Sequence, residues 1–148
     1  MYKRFIAMLC VAAVLCGCER ADPNSPLNLR KTIFKDMLRV SEQLGGMLRG
    51  RVAFDEHDFA EGATRLDALA RQPWQHFPMP GEGERSNAKP AVWQRQARFE
   101  DLARQLEAAT ASLHGQSQRR PLRASELQAP MDAVEQACTA CHRAFRNH

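Results

Sequence analysis

Near the C-terminus the chain reads Cys138-Thr139-Ala140-Cys141-His142, where two thiols three residues apart are followed at once by an imidazole. On a helix the two thiols project from the same side of one turn. C-x-x-C-H is the attachment sequence for c-type haem. The thiols form thioethers to the two vinyl groups, and the imidazole is delivered beneath the iron. Other chemistries fit less well. A zinc site needs about four ligands, and beyond these three the chain offers only the scattered His57, His76, His114 and His148. A thioredoxin-like C-x-x-C belongs after a strand in a βαβ unit, not beside a C-terminus. A disulfide between residues on one helical turn would constrain little.

Such a site needs a scaffold, and the composition says which kind. The 148 residues are 44% hydrophobic and 26% charged, which suits one globular domain and excludes a disordered chain. Tyr (1), Trp (2) and Phe (7) are scarce, and Ala and Leu outweigh Val and Ile, so helix is favoured over strand. Lys3 and Arg4 lie in the N-terminal leader described below. Without them the remaining 19 basic and 17 acidic residues nearly balance. Arg alternates with Asp and Glu along helical faces, so no nucleic-acid partner is expected.

Apolar residues recur with a helical period from about residue 26 to 50, through Ile33, Phe34, Met37, Leu44 and Met47, and Gly50 closes the run. Asp55 suits the N-cap of a second helix whose buried face carries Phe59, Ala63, Leu66 and Ala70, with Pro73 as its stop. Residues 73–90, rich in Pro and Gly, read as an irregular connection anchored by Trp74 and Phe77. A third helix is expected from Pro90 to Gly115, and a fourth from about Pro130 to the end, with Met131, Val134, Cys138, Cys141 and Phe145 on one stripe. This predicts an all-α fold, an antiparallel four-helix bundle with c-type haem near the C-terminal helix.

The leader has a short basic start and an apolar run from Phe5 to Cys16, the length of a secretory h-region and too short to span a bilayer. Leu15-Cys16-Gly17-Cys18 resembles the lipobox of bacterial lipoproteins, which implies a signal peptide over 1–17, lipid attachment at Cys18, a tether over 18–26 and a bundle over 27–148. An ordinary cleaved signal peptide is the other reading. Both export the chain to the periplasm, which favours haem, because c-type haem is attached on the far side of the cytoplasmic membrane. A lipid would add a membrane as partner.

Over about residues 27 to 147 the chain resembles the class-II c-type cytochromes, the cytochrome c prime family and its low-spin relatives. The resemblance rests on Arg30, on Gly50 followed by Phe54-Asp55, and on Pro73-Trp74-x-x-Phe77. Ala88-Lys89-Pro90-x-Val92-Trp93 and the terminal Cys-x-x-Cys-His complete it. It implies one covalent haem c, with Cys138 and Cys141 as attachment points and His142 as axial iron ligand.

Function then turns on the opposite face of the iron. In low-spin members a Met four residues after the first-helix Arg ligates the metal. Here that position is Phe34, so the resemblance implies five-coordinate iron able to bind NO or CO at an apolar distal face. With no polar donor expected in reach, bound O₂ would gain no hydrogen bond. Met37, three residues on and on the same helical face, keeps a low-spin Met/His electron carrier open as an alternative. Its other reading is core packing. Arg30 is a candidate propionate partner, against an exposed helix charge. Arg146, four residues after His142, is a candidate proximal donor, against a solvated terminal Arg. The expected role is electron transfer with a redox partner protein, or a dedicated NO-binding protective or sensing function. No nucleophile with its base is apparent, so no enzyme is expected. Leu48, Val52, Phe54 and Phe59 are candidates for a homodimer contact or for core. His57, His76 and His114 are expected at the surface.

Overall fold

The computed structural model describes residues 22–80 and 85–147. The leader, Cys18 and His148 lie outside the described residues. The described chain forms α1 (Pro26–Leu48), α2 (Glu56–Ala70), a 3-10 turn (Trp74–His76), a short α3 (Ala91–Gln94), α4 (Gln96–Ser117) and α5 (Ala124–Phe145). The four long helices make an antiparallel bundle. Among the described residues, strand-like pairing is limited to one isolated bridge between Ala88 and Arg146, and no helix is long and apolar enough to cross a membrane.

Local chemistry sets the helix starts. The Ser25 side chain accepts from the Asn28 N–H, and Pro26 occupies the first turn, where its missing N–H costs nothing. Asp55 caps α2 by accepting from the backbone N–H groups of His57 (2.8 Å) and Asp58 (2.9 Å). Glu56 and Asp58 add negative charge at the positive end of that helix. Gly50, at φ 70°, takes the left-handed turn that carries the chain out of α1.

The expected periodic positions meet along the bundle axis. Leu44, Phe59, Leu66, Leu113, Leu127 and Met131 are all fully or almost fully buried. The fully buried Thr110 hydroxyl is satisfied: its one proton is shared between Asp67 Oδ1 on α2 and the Glu107 carbonyl, each at 3.0 Å.

Three expectations need correction. The third helix is not continuous: Arg95 leaves the helical region (φ −129°, ψ 51°), separating α3 from α4. Two tertiary contacts hold the break. Trp93 Nε1 donates to the carbonyls of Phe77 (3.2 Å) and Pro78 (2.9 Å), and the Arg95 guanidinium stacks 5.5 Å over the Phe145 ring. Nor does Gly115 stop α4, which runs on to Ser117; an isolated exposed Gly costs a helix only about 1 kcal/mol. Finally, α5 begins at Ala124, so Pro130 lies inside it. An interior Pro costs about 3 kcal/mol. The burial of neighbouring Leu127 and Met131, about 1.5–3 kcal/mol each, offsets it.

Of the candidate dimer residues, Phe59 is core and Phe54 packs on it at 5.6 Å between ring centroids, while Val52 is exposed. His57 is exposed, but His76 and His114 are half-buried, partly against expectation.

Candidate functional site

The last two turns of α5 place Cys138 and Cys141 half-buried and His142 exposed, all three on the wall of one cavity of about 620 Å³. That volume lies within the range of cofactor sites, roughly 300–1,000 Å³. The facing wall comes from α1, where Arg30, Phe34 and Met37 follow one another along the helix. Trp74 from the 3-10 turn, Phe77 just after it and Phe99 from α4 close the side. The expected attachment residues and the candidate distal residues therefore line one cavity, although more than a hundred positions separate them in sequence.

Aromatic packing stiffens this wall. The Phe34 ring meets Trp74 edge-on at 6.0 Å and Phe77 at 6.3 Å between centroids, and Phe99 in turn contacts Trp74, Phe77 and Phe145 at 5.8, 4.9 and 5.4 Å. Met37 is buried and belongs to the core cluster as well as to the cavity wall. In sequence, Trp74 and Phe77 read as anchors of the connection to the core. The Pro73-Trp74-x-x-Phe77 spacing was the available signal, but it did not reveal that these rings face the cavity.

The two arginines come out differently. Arg30 is only 3% exposed, which overturns the alternative of a solvated helix charge. Its Nη1 donates to the His76 carbonyl (2.8 Å), its Nη2 to Ser86 Oγ (3.1 Å), and its guanidinium lies 4.7 Å over the Phe77 ring. Arg146 also lines the cavity but not as part of the helix. α5 ends at Phe145, and Arg146 is extended (φ −115°, ψ 134°) because its backbone pairs with Ala88. Around that bridge, Lys89 N–H donates to the Phe145 carbonyl and Asn147 N–H to the Asn87 carbonyl, each at 2.8 Å. This clamp fixes the end of α5 against the connection, and it uses backbone groups that leave no trace in side-chain pattern.

Neither thiol is in a disulfide. Burial, helped by Cys141 and Glu135, pushes Cys138 up to about 11, and burial raises Cys141 as well. Thiols in that state are poor nucleophiles for disulfide exchange near neutrality, which uses the thiolate. Among the described residues no group of three or more His, Cys, Asp or Glu could hold a metal ion. A porphyrin asks for less, because it brings four nitrogens and needs only an axial ligand from the chain. A mostly apolar cavity with two thiols and one imidazole on the same wall fits that group.

The family profile described as Cytochrome C′ matches residues 25–146. The chain belongs to the cytochrome c′ family. It is 27% identical over 118 residues to cytochrome c′ of Rhodopseudomonas palustris, covering 79% of this chain and 78% of the relative. The crystal structure of cytochrome c′ from Rubrivivax gelatinosus superposes with a TM-score of 0.75 at 26% identity, covering 84% of this chain and 98% of that one. A ferrous variant of the Alcaligenes xylosoxidans protein, solved with NO bound, superposes at 0.76 and 22% identity, covering 88% and 99%, a likeness of fold. Membership brings a covalently attached haem c, and the four-helix bundle is the family's own architecture.

Proposed function

We propose that this chain is an exported electron-transfer protein whose iron has His142 as its only protein ligand and takes up a diatomic gas on the face covered by Phe34. Cys138 and Cys141 form the two thioethers that keep the group from being lost outside the cell. The bound haem supplies an iron that exchanges one electron with a redox partner protein and, with one axial face open, accepts NO or CO. Phe34 carries this reading: it lies on the cavity wall contributed by α1, held edge-on by Trp74 and Phe77, and a phenyl ring has no atom that can ligate. It provides bulk that a small molecule can displace. Arg30 presents a buried cation to the same cavity and suits a propionate. Arg146 donates on the His142 side; its exposed position on the cavity lining, shared with His142, supports that role. The Alcaligenes relative with bound NO supports the gas-binding half of the proposal. The chain acts in the periplasm, and Cys18 carries a lipid that holds it at a membrane.

One observation favours a second reading, a low-spin carrier in which Met37 ligates the iron, because Met37 lines the same cavity one turn beyond Phe34. Its burial in the core cluster weighs against it, since ligation would pull the side chain out of packing it already has. The optical spectrum of the reduced holoprotein, with and without CO, separates the two. Broad high-spin bands that sharpen with CO are expected. A sharp low-spin spectrum indifferent to CO overturns the open face in favour of Met37. Colourless mature protein without the mass of a tetrapyrrole overturns both.

A further inference from the structure

Of the two tryptophans, Trp93 has its indole N–H fully used, shared between the carbonyls of Phe77 and Pro78. Trp74 Nε1 is buried and has no hydrogen-bond partner among the described residues. An indole nitrogen is a donor only, and a buried donor without an acceptor carries its whole desolvation cost. Rotation offers no escape. The ring sits between Phe34 at 6.0 Å and Phe99 at 5.8 Å, and its backbone starts a 3-10 turn closed by His76 N–H to the Pro73 carbonyl at 3.0 Å. Trp74 also lines the cavity. An acceptor must therefore enter with whatever fills that space.

We infer that the Trp74 indole N–H is the hydrogen-bond donor to one carboxylate of the porphyrin, a propionate received at the cavity wall that Trp74 shares with Arg30; the inference rests on the haem reading. The two residues stand on adjoining panels of the wall. Arg30 lies over the Phe77 ring, and Phe77 and Trp74 both pack against Phe34. A carboxylate has two oxygens and about four lone-pair sites, enough for a guanidinium and an indole together. A diatomic gas answers the requirement poorly: it is a weak acceptor and present only part of the time, which would leave the donor unmet in the resting protein. It gives Trp74 a positioning role that its packing alone does not imply. A hydrogen bond to the ionised carboxylate favours that form, so Trp74 holds the propionate's pKa down.

The test compares native, Trp74→Phe and Trp93→Phe holoproteins, following the reduction potential against pH. Losing one donor to the carboxylate should move the propionate inflection upward by about one pH unit in Trp74→Phe. It should not move in Trp93→Phe, whose indole already has acceptors in the chain. The C–O stretch of the ferrous CO complex should be unchanged in Trp74→Phe. A pigmented Trp74→Phe protein whose inflection stays in place overturns the inference and leaves the haem reading intact. A shifted C–O stretch with a fixed inflection assigns the donor to the gas instead. Colourless native protein removes the haem reading itself. If Trp74→Phe does not fold, the native holoprotein still decides. The indole N–H band in its ultraviolet resonance Raman spectrum should shift with pH across the same inflection, and a band insensitive to pH overturns the inference.

Discussion

Phe34→Ala tests whether a ring held by its neighbours governs access to the iron. To admit a ligand, the phenyl group must swing away from Trp74 and Phe77, which it meets edge-on at 6.0 and 6.3 Å. Each such pair contributes about 0.5–1.5 kcal/mol beyond area burial, so displacement costs about 1–3 kcal/mol in all. That energy corresponds to roughly 5- to 150-fold in a rate or equilibrium constant. Removing the ring removes the cost. CO association with the ferrous holoprotein, followed by stopped-flow absorbance, should accelerate by about that factor. Phe34→Leu keeps bulk but loses both ring pairs, and should fall between. The side chain is half-buried, so Phe34→Ala should also lower stability by about 2–5 kcal/mol in a denaturant titration, the lost area burial plus the two ring pairs. An unchanged or slower CO association in a folded, pigmented Phe34→Ala protein would show that the ring does not stand over the binding face.

Three further outcomes follow, two from the structure and one from the leader sequence. In the haem-free chain the raised Cys138 and Cys141 thiols bind protons more tightly folded than unfolded. Their contribution to stability is thus intact below the ordinary value of 9 and is lost as the pH climbs towards about 11; urea midpoints should fall over that window in the apoprotein, and the fall due to these thiols should vanish once both are thioethers. Gly62→Ala places a Cβ 2.7 Å from Leu44 Cδ2, and Leu44 is fully buried where α1 meets α2. The gain of about 1 kcal/mol in helix propensity is outweighed by overpacking of about 1–3 kcal/mol, so thermal unfolding should show a net loss, and a net gain would mean that Leu44 yields freely. Cys18→Ser should move the protein from the membrane to the soluble periplasmic fraction; a native protein already soluble there contradicts the lipid anchor.

The attachment chemistry is local, and local chemistry is what a sequence displays best. The Cys138–His142 run, the Asp55 cap and the placement of Phe34 one turn after Arg30 follow from spacing along contiguous chain and the helical period. All could be read without coordinates, as could the all-α bundle. The break at Arg95 could not, because Gln94, Arg95 and Gln96 favour helix and only the bonds of Trp93 and the stack on Phe145 oppose it. Pro130 misplaced the start of α5 for the same reason: burial of its neighbours outweighs its intrinsic preference. The burial of Arg30 depends on acceptors 46 and 56 positions away, and the unmet N–H of Trp74 on rings from two other helices. Helical period reveals which face of an element turns inward. Which groups meet there, and which polar atom is left waiting for a ligand, depends on how the four helices enclose the cavity.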